Sequence, residues 1–163
     1  MDQTVSIAII SASAVLSGVV LSAAISIVLL FLNRRHQKQM LLRQKYEEMF
    51  FHFSGSLQWI QDLQNSTSRA QLFSHAQDPL SRKALTLCLL YFPDIVDKAN
   101  AYIQAESEYY GFVVSSFDEA IPINAGGQVG VKPEYEKFIN NLAMNKNELE
   151  NCIVAKREKY IKS

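Results

Sequence analysis

The sequence predicts an all-α protein, in which one N-terminal transmembrane helix continues toward a cytoplasmic antiparallel helical bundle with a kinked middle helix. Three observations predict it. Residues 5–32 contain only Ala, Val, Ile, Leu, Phe, Ser and Gly. Farther along the chain, apolar and aromatic residues recur at steps of three and four, which is the helical period. Pro93 then interrupts a dense apolar run, and an internal proline kinks or breaks a helix.

The first predicted element is a membrane span over residues 5–32. This run is longer than the roughly 20 residues that a helix needs to cross the hydrocarbon core, and no charged residue lies between positions 3 and 33. A cleaved signal peptide would have a basic start and a shorter apolar segment, and a buried helix of a soluble domain seldom excludes charge for so long. We therefore expect a retained transmembrane helix.

The charges that flank the span predict its orientation. Only Asp2 precedes it, whereas five cations follow it: Arg34, Arg35, Lys38, Arg43 and Lys45. Cations are retained on the cytoplasmic side, which predicts residues 1–4 outside and a cytoplasmic domain at residues 46–163, anchored in the inner (plasma) membrane. Residues 33–45 form a basic juxtamembrane collar, and its five cations are predicted to contact anionic lipid head groups.

Small residues recur at every fourth position inside the span: Ala14, Gly18, Ser22 and Ser26. In this register two helix backbones can approach closely, which predicts a helix–helix interface in the membrane and a homo-oligomer. Because Ser and Ala are common throughout the span, a second small face also exists: Ser6, Ser13, Ser17 and Ala24. Neither face carries an ionisable group, which argues against a proton or ion pathway.

The next predicted helix has an apolar stripe from Leu42 to Gln64, widened by Phe50 and Leu63. No proline lies between residues 5 and 78, which allows this helix and the span to form one rod. Gly55 is its predicted weak point, since glycine has a low helix propensity. A turn is expected at residues 65–68.

Proline also marks the later helix boundaries. A second helix is expected to begin near Asp78 and Pro79, to break at Pro93, and to resume from Asp94 to about residue 117. Residues 119–132 are glycine-rich and predict a loop, conceivably with a small hairpin. Pro133 is expected to open the last helix.

Composition and motifs give no indication of catalysis. Sixteen basic and sixteen acidic residues leave no net charge, so a nucleic-acid binder that neutralises phosphates is not expected. Gly126, Gly127 and Gly130 fit neither a phosphate loop nor a dinucleotide fingerprint. Cys88 and Cys152 lie singly in apolar stripes. Neither pairs with a histidine or with the other cysteine at the spacing of helical metal ligands. We expect no metal, cofactor, small-molecule substrate or enzymatic activity, although folding could still bring a Cys and a His together.

Three features of the cytoplasmic part have alternative interpretations. A group of aromatic residues suits a core, which we favour, or a partner surface: Tyr91, Phe92, Tyr102, Tyr109, Tyr110 and Phe112. Asp94 beside Pro93 could in principle supply an acid or base, but it is better interpreted as a helix-start signal. The basic residues 156–162 complement the dipole of the last helix, or they add a second lipid contact if that helix runs back toward the bilayer.

The predicted function is that of a membrane-anchored interaction or scaffold protein, whose cytoplasmic bundle binds itself or a second protein. The alternative is a membrane-perturbing effector whose span oligomerises when the bundle is triggered. The layout resembles that of small single-pass bacterial proteins with a cytoplasmic helical bundle, some of which accompany phage-defence or toxin systems. This resemblance concerns the architecture and assigns no role to any residue.

Overall fold

The computed structural model describes residues 3–76, 79–118 and 133–161, with side chains from Val15 onward except that of Pro79. Helices make up most of these residues, and no strand occurs among them, which confirms the all-α class. The helices are α1 (Gln3–Gln64), α2 (Arg69–Ser74), α3 (Pro79–Tyr91), α4 (Val96–Ser116) and α5 (Tyr135–Ile161), and a 3-10 turn covers Pro93–Ile95. The predicted glycine loop at 119–132 and Asp78 lie outside the described residues.

Helix α1 is long and apolar enough to cross a membrane, and it is the one such helix in the described part of the chain. Between Val15 and Leu32 its large apolar side chains are 52–69% exposed. None of the described residues covers this surface.

The chain divides into two compact units, Met1–Leu41 and Leu42–Ser163. The second unit has its own hydrophobic core, built from one face of each long helix. On α1 the buried side chains include Tyr46, Met49, Phe53 and Leu63. The predicted aromatic group belongs to this core: Phe92, Tyr102, Tyr109 and Phe112 are buried, and Tyr91 and Tyr110 pack partly buried against it.

In the second unit, residues that come later on one helix contact residues that come earlier on its partner helix. Near the start of α4, Lys98 Nζ lies 2.7 Å from Glu148 Oε2 on α5. Near the end of α4, the ring of Phe112 stacks on Phe138 at a centroid distance of 4.6 Å. α1 pairs with α5 in the same manner, since Tyr46 stacks on Tyr160 and Gln64 Nε2 donates to Tyr135 Oη at 3.4 Å.

Several helix boundaries lie close to the positions that the sequence predicts. α3 begins at Pro79, the helical run stops before Pro93, and the backbone resumes as a 3-10 turn and then α4. α2 was not predicted. Its six residues are too few to show a periodic pattern, but Ser68 marks its start, because the Ser68 hydroxyl accepts a hydrogen bond from the Gln71 amide.

Gly55, the predicted weak point of α1, lies where α3 packs closely. A Cβ atom at this position would be 2.9 Å from Leu80 Cδ1. Such a distance requires the leucine to shift. The missing side chain of Gly55 therefore leaves room for Leu80, a packing role that helix propensity alone does not predict.

Candidate functional site

Three residues of the predicted membrane interface lie on the exposed surface of α1: Gly18, Ser22 and Ser26. A Cβ on Gly18 would meet no neighbouring atom within 4 Å. Ser26 Oγ donates a 2.8 Å hydrogen bond to the Ser22 carbonyl oxygen, so this hydroxyl is satisfied within its own helix. The side chain of Ala14 lies outside the described residues. The stripe thus presents an open surface of small residues.

The five predicted collar cations fall into two groups. Arg34, Arg35 and Lys38 belong to the first unit and are exposed, and none forms an ion pair with a described residue. Arg43 and Lys45 belong to the second unit and are paired. Arg43 Nε lies 3.0 Å from Glu47 Oε1, and Lys45 Nζ lies 2.6 Å from Glu48 Oε2.

These ion pairs reduce the net charge that Arg43 and Lys45 contribute to the collar. The hydrogen bond that Lys45 donates to Glu48 raises the pKa of Lys45 above its ordinary value, and the same bond lowers the pKa of Glu48. Both groups therefore stay ionised at neutral pH and offset each other. The first three cations carry the uncompensated charge of the collar.

Three rings pack together near the beginning of the second unit, and we call Tyr46, Phe92 and Tyr160 the aromatic clasp. Tyr46 meets Phe92 edge-on at 5.2 Å and stacks on Tyr160 at 5.6 Å, while Phe92 meets Tyr160 edge-on at 4.8 Å. The Tyr46 hydroxyl donates to the carbonyl oxygen of Ile153. Burial raises the pKa of Tyr46 to about 12. The clasp joins α1, the 3-10 turn region and α5.

Asp94 extends the clasp into an ionic contact. Its carboxylate accepts hydrogen bonds from Lys159 Nζ and from the Tyr160 hydroxyl at 3.3 Å, and Lys156 Nζ lies 4.0 Å away. The hydrogen bond from Lys159 lowers the pKa of Asp94. The interpretation of Asp94 as a helix-start signal does not predict these contacts. The residues directly before the 3-10 turn and before α4 are Phe92 and Ile95, and neither forms a side-chain cap bond.

A cavity of about 190 Å³ lies among α1, α3 and α4, and eight residues line it: Trp59, Ala76, Ser81, Arg82, Ile103, Glu106, Ser107 and Tyr110. Three of its donors are used inside the protein. Trp59 Nε1 donates to the His75 carbonyl at 2.8 Å, Tyr110 Oη to the Leu72 carbonyl at 3.2 Å, and Ser107 Oγ to the Ile103 carbonyl at 2.9 Å. These three groups have no donor left for a ligand.

A larger apolar groove of about 370 Å³ runs between α1 and α5, lined by Tyr46, Glu47, Phe50, Ile153, Val154, Arg157 and Ile161. We call it the α1/α5 groove. Phe50 is 43% exposed and Val154 63% exposed beside it. Glu47, which pairs with Arg43 of the same helix, is on the α1 wall, and Arg157 is on the α5 wall.

The sequence does not predict this groove. Phe50 is predicted to widen the apolar stripe of α1, and it lies at the edge of the buried face, while its neighbour Phe51 is 72% exposed. A signal was present. Adjacent helical residues point about 100° apart, so a pair of consecutive phenylalanines cannot both occupy the centre of one narrow stripe.

The cysteines and histidines show no nucleophile or metal arrangement in the described residues. Cys88 is buried, and burial raises the pKa of its thiol to about 12, so it is protonated at neutral pH. Cys152 Sγ lies 3.8 Å from the Asp94 carbonyl oxygen. No group of three metal-binding side chains occurs within residues 3–76, 79–118 and 133–161.

In comparisons with known proteins, no family model matches the chain, and no curated protein or solved structure is significantly similar to it.

Proposed function

We propose that the chain is a single-pass protein of the inner (plasma) membrane, and that its cytoplasmic domain binds a second copy or another protein without catalysing a reaction. One observation carries the proposal. The large apolar side chains between Val15 and Leu32 are 52–69% exposed, on a helix that continues into a unit with its own core. In water such a surface would aggregate. A bilayer would cover it.

The proposed topology has residues 1–4 outside, residues 5–32 in the membrane and residues 46–163 in the cytoplasm. It is supported by the exposed cations Arg34, Arg35 and Lys38, since each basic group near an anionic surface contributes about 1 kcal/mol. A reporter fused after Ser163 should be active only in the cytoplasm. Periplasmic activity of that fusion would contradict the topology.

We further propose that the cytoplasmic unit is an antiparallel helical bundle with a kinked middle helix. The reversed order of contacts between α4 and α5, and between α1 and α5, supports this arrangement. The 3-10 turn at Pro93–Ile95 supports a change of direction between α3 and α4.

Self-association through the span gives a direct test. Wild-type protein in detergent should run as a dimer or larger, and Gly18→Ile should shift it toward monomer, because a large side chain would separate helices that pack through small residues. Ala23→Ile, a small-to-large change at an exposed position on another face of the same helix, is the matched control. If the wild type is monomeric at every detergent concentration and captures no protein, the interaction function has no basis.

A second candidate is the membrane-perturbing effector, favoured by the unbroken helix from Gln3 to Gln64. A change in the cytoplasmic part could be transmitted along such a helix. The hydrogen bond from Ser26 to the Ser22 carbonyl uses the Ser26 hydroxyl inside its own helix, so the donor of this hydroxyl is not available to a pore. Overexpression of the full chain should leave membrane potential intact if it is a scaffold, and should collapse it if it is an effector.

A further inference from the structure

We propose that the α1/α5 groove binds the same groove of a second copy of this chain. In this two-fold contact Phe50 of each copy enters the groove of the other, and Glu47 of each faces Arg157 of the other. The inference rests on the proposed self-association and assigns it a cytoplasmic surface. It is independent of the small-residue stripe in the span.

The groove has the composition of an interface core. Tyr46, Phe50, Ile153 and Val154 give it an apolar floor and edge, and Arg157 borders it. Aromatic residues and arginine are enriched at protein interfaces. Phe50 projects 43% exposed beside a groove of about 370 Å³, so the surface offers both an anchor and a place to receive one.

The charges select a second copy as the occupant. In a two-fold contact each residue meets its counterpart reciprocally, and a surface of one sign would therefore repel its own copy. Here Glu47 and Arg157 lie on opposite walls, so in a two-fold contact the Glu47 carboxylate of each copy, now paired with the exposed Arg43, meets Arg157 of the other.

Glu47 and Arg157 are both exposed and can therefore form ion pairs with a second copy. The side chains of Arg43 and Glu47 are 54% and 58% exposed in their ion pair, and exposed pairs of this kind contribute little to stability. Arg157 is exposed and forms no ion pair with the described residues. Anchoring in one bilayer would raise the effective concentration of the two surfaces, so a modest interface suffices.

The test uses full-length chains that carry donor or acceptor fluorophores, reconstituted at low density in vesicles of neutral and anionic phospholipids. Glu47→Arg and Arg157→Glu should each reduce association about tenfold when present alone. When the two variants are mixed, both contacts regain opposite charges, and energy transfer should return to nearly the wild-type level. Only contact between copies predicts this rescue.

Matched controls use exposed residues elsewhere in the second unit. Glu136→Arg and Lys83→Glu make the same charge changes outside the groove, and Phe73→Ser parallels Phe50→Ser at another exposed phenylalanine. The controls should associate like the wild type, whereas Phe50→Ser should not. Circular dichroism of each variant checks that its helices are retained.

The remaining outcomes contradict the groove assignment, the proposed function or both. If the mixture associates no better than either variant alone, or if the controls weaken association equally, the groove is not the contact. If the wild type associates and the groove variants do so unchanged, the proposed function stands and the groove assignment fails. Loss of binding to a different protein, with self-association unchanged, would assign the groove to that protein. A monomeric wild type would overturn both proposals.

Discussion

The hydroxyl of Tyr46 on α1 donates a hydrogen bond to the backbone carbonyl of Ile153 on α5, across 107 positions of sequence. The Tyr46 ring is 3% exposed, so little water competes for this bond. Together with the stacking of Tyr46 on Tyr160, it fixes the last helix to the first helix of the second unit.

Tyr46→Phe should lower the free energy of unfolding of the second unit by about 1 kcal/mol, the usual net contribution of one hydrogen bond. Tyr46→Ala should cost about 3–5 kcal/mol, because it also leaves a cavity among the clasp rings. Urea unfolding followed by circular dichroism measures both. Tyr91→Phe is the control, since the Tyr91 hydroxyl makes no hydrogen bond with the described residues. Equal effects of the two Phe variants would contradict the role of the Tyr46 bond.

The contact between Asp94 and Lys159 should stabilise the protein at neutral pH and lose its effect in acid. The pKa of Asp94 is lowered from its ordinary 3.8 by the Lys159 hydrogen bond, so the folded state holds the charged form more strongly than the unfolded state does. Stability from this group is therefore present above pH 3.8 and lost as the pH falls through the lowered value.

Comparing the wild type with Asp94→Asn measures this effect. The wild type should be more stable at pH 6, and the difference should shrink as the pH falls below 3.8. Asp97→Asn serves as the control, because Asp97 is exposed and forms no hydrogen bond or ion pair with described residues. A difference that stays constant down to the lowest pH would show that the charge of Asp94 is not its source.

Two glycines in helices should respond differently to alanine. Gly111→Ala should stabilise α4 by about 0.5–1 kcal/mol, since alanine favours helix and nothing lies within 4 Å of the new Cβ. Gly55→Ala should gain less or lose stability, because its Cβ would be 2.9 Å from Leu80 Cδ1. Adding Leu80→Ala should restore the gain at position 55, as a double-mutant cycle would show. Equal gains at both glycines would contradict the close packing of α3.

The two cysteines should differ in reactivity. Cys88 is 1% exposed and its pKa is raised to about 12, whereas Cys152 is half-buried. A maleimide at pH 7.5 should modify Cys152 well before Cys88, as mass spectrometry of the native protein would show. Modification at equal rates would mean that α3 opens readily in solution.

Local chemistry explains which parts of this fold are readable from the sequence. Pro79 and Pro93 act on their own backbone, so the start of α3 and the interruption before α4 are visible without tertiary information. Asp94 is different, because its partner Lys159 lies 65 positions away. Phe50 is different as well, since its exposure depends on where α5 packs. Residues whose role is set by a distant helix could not be assigned from periodicity.

Trp59 gives the second unit a built-in optical probe. It is the chain's only tryptophan, it is 8% exposed, and its ring lies 6.2 Å from Tyr110. It lies thirteen positions after Tyr46, which is about 20 Å along a helix. Its fluorescence therefore reports on the α1–α4 contact far from the clasp. Emission that shifts to the red before helicity is lost would reveal that the two ends of the unit open separately, whereas coincident transitions would show that they unfold as one.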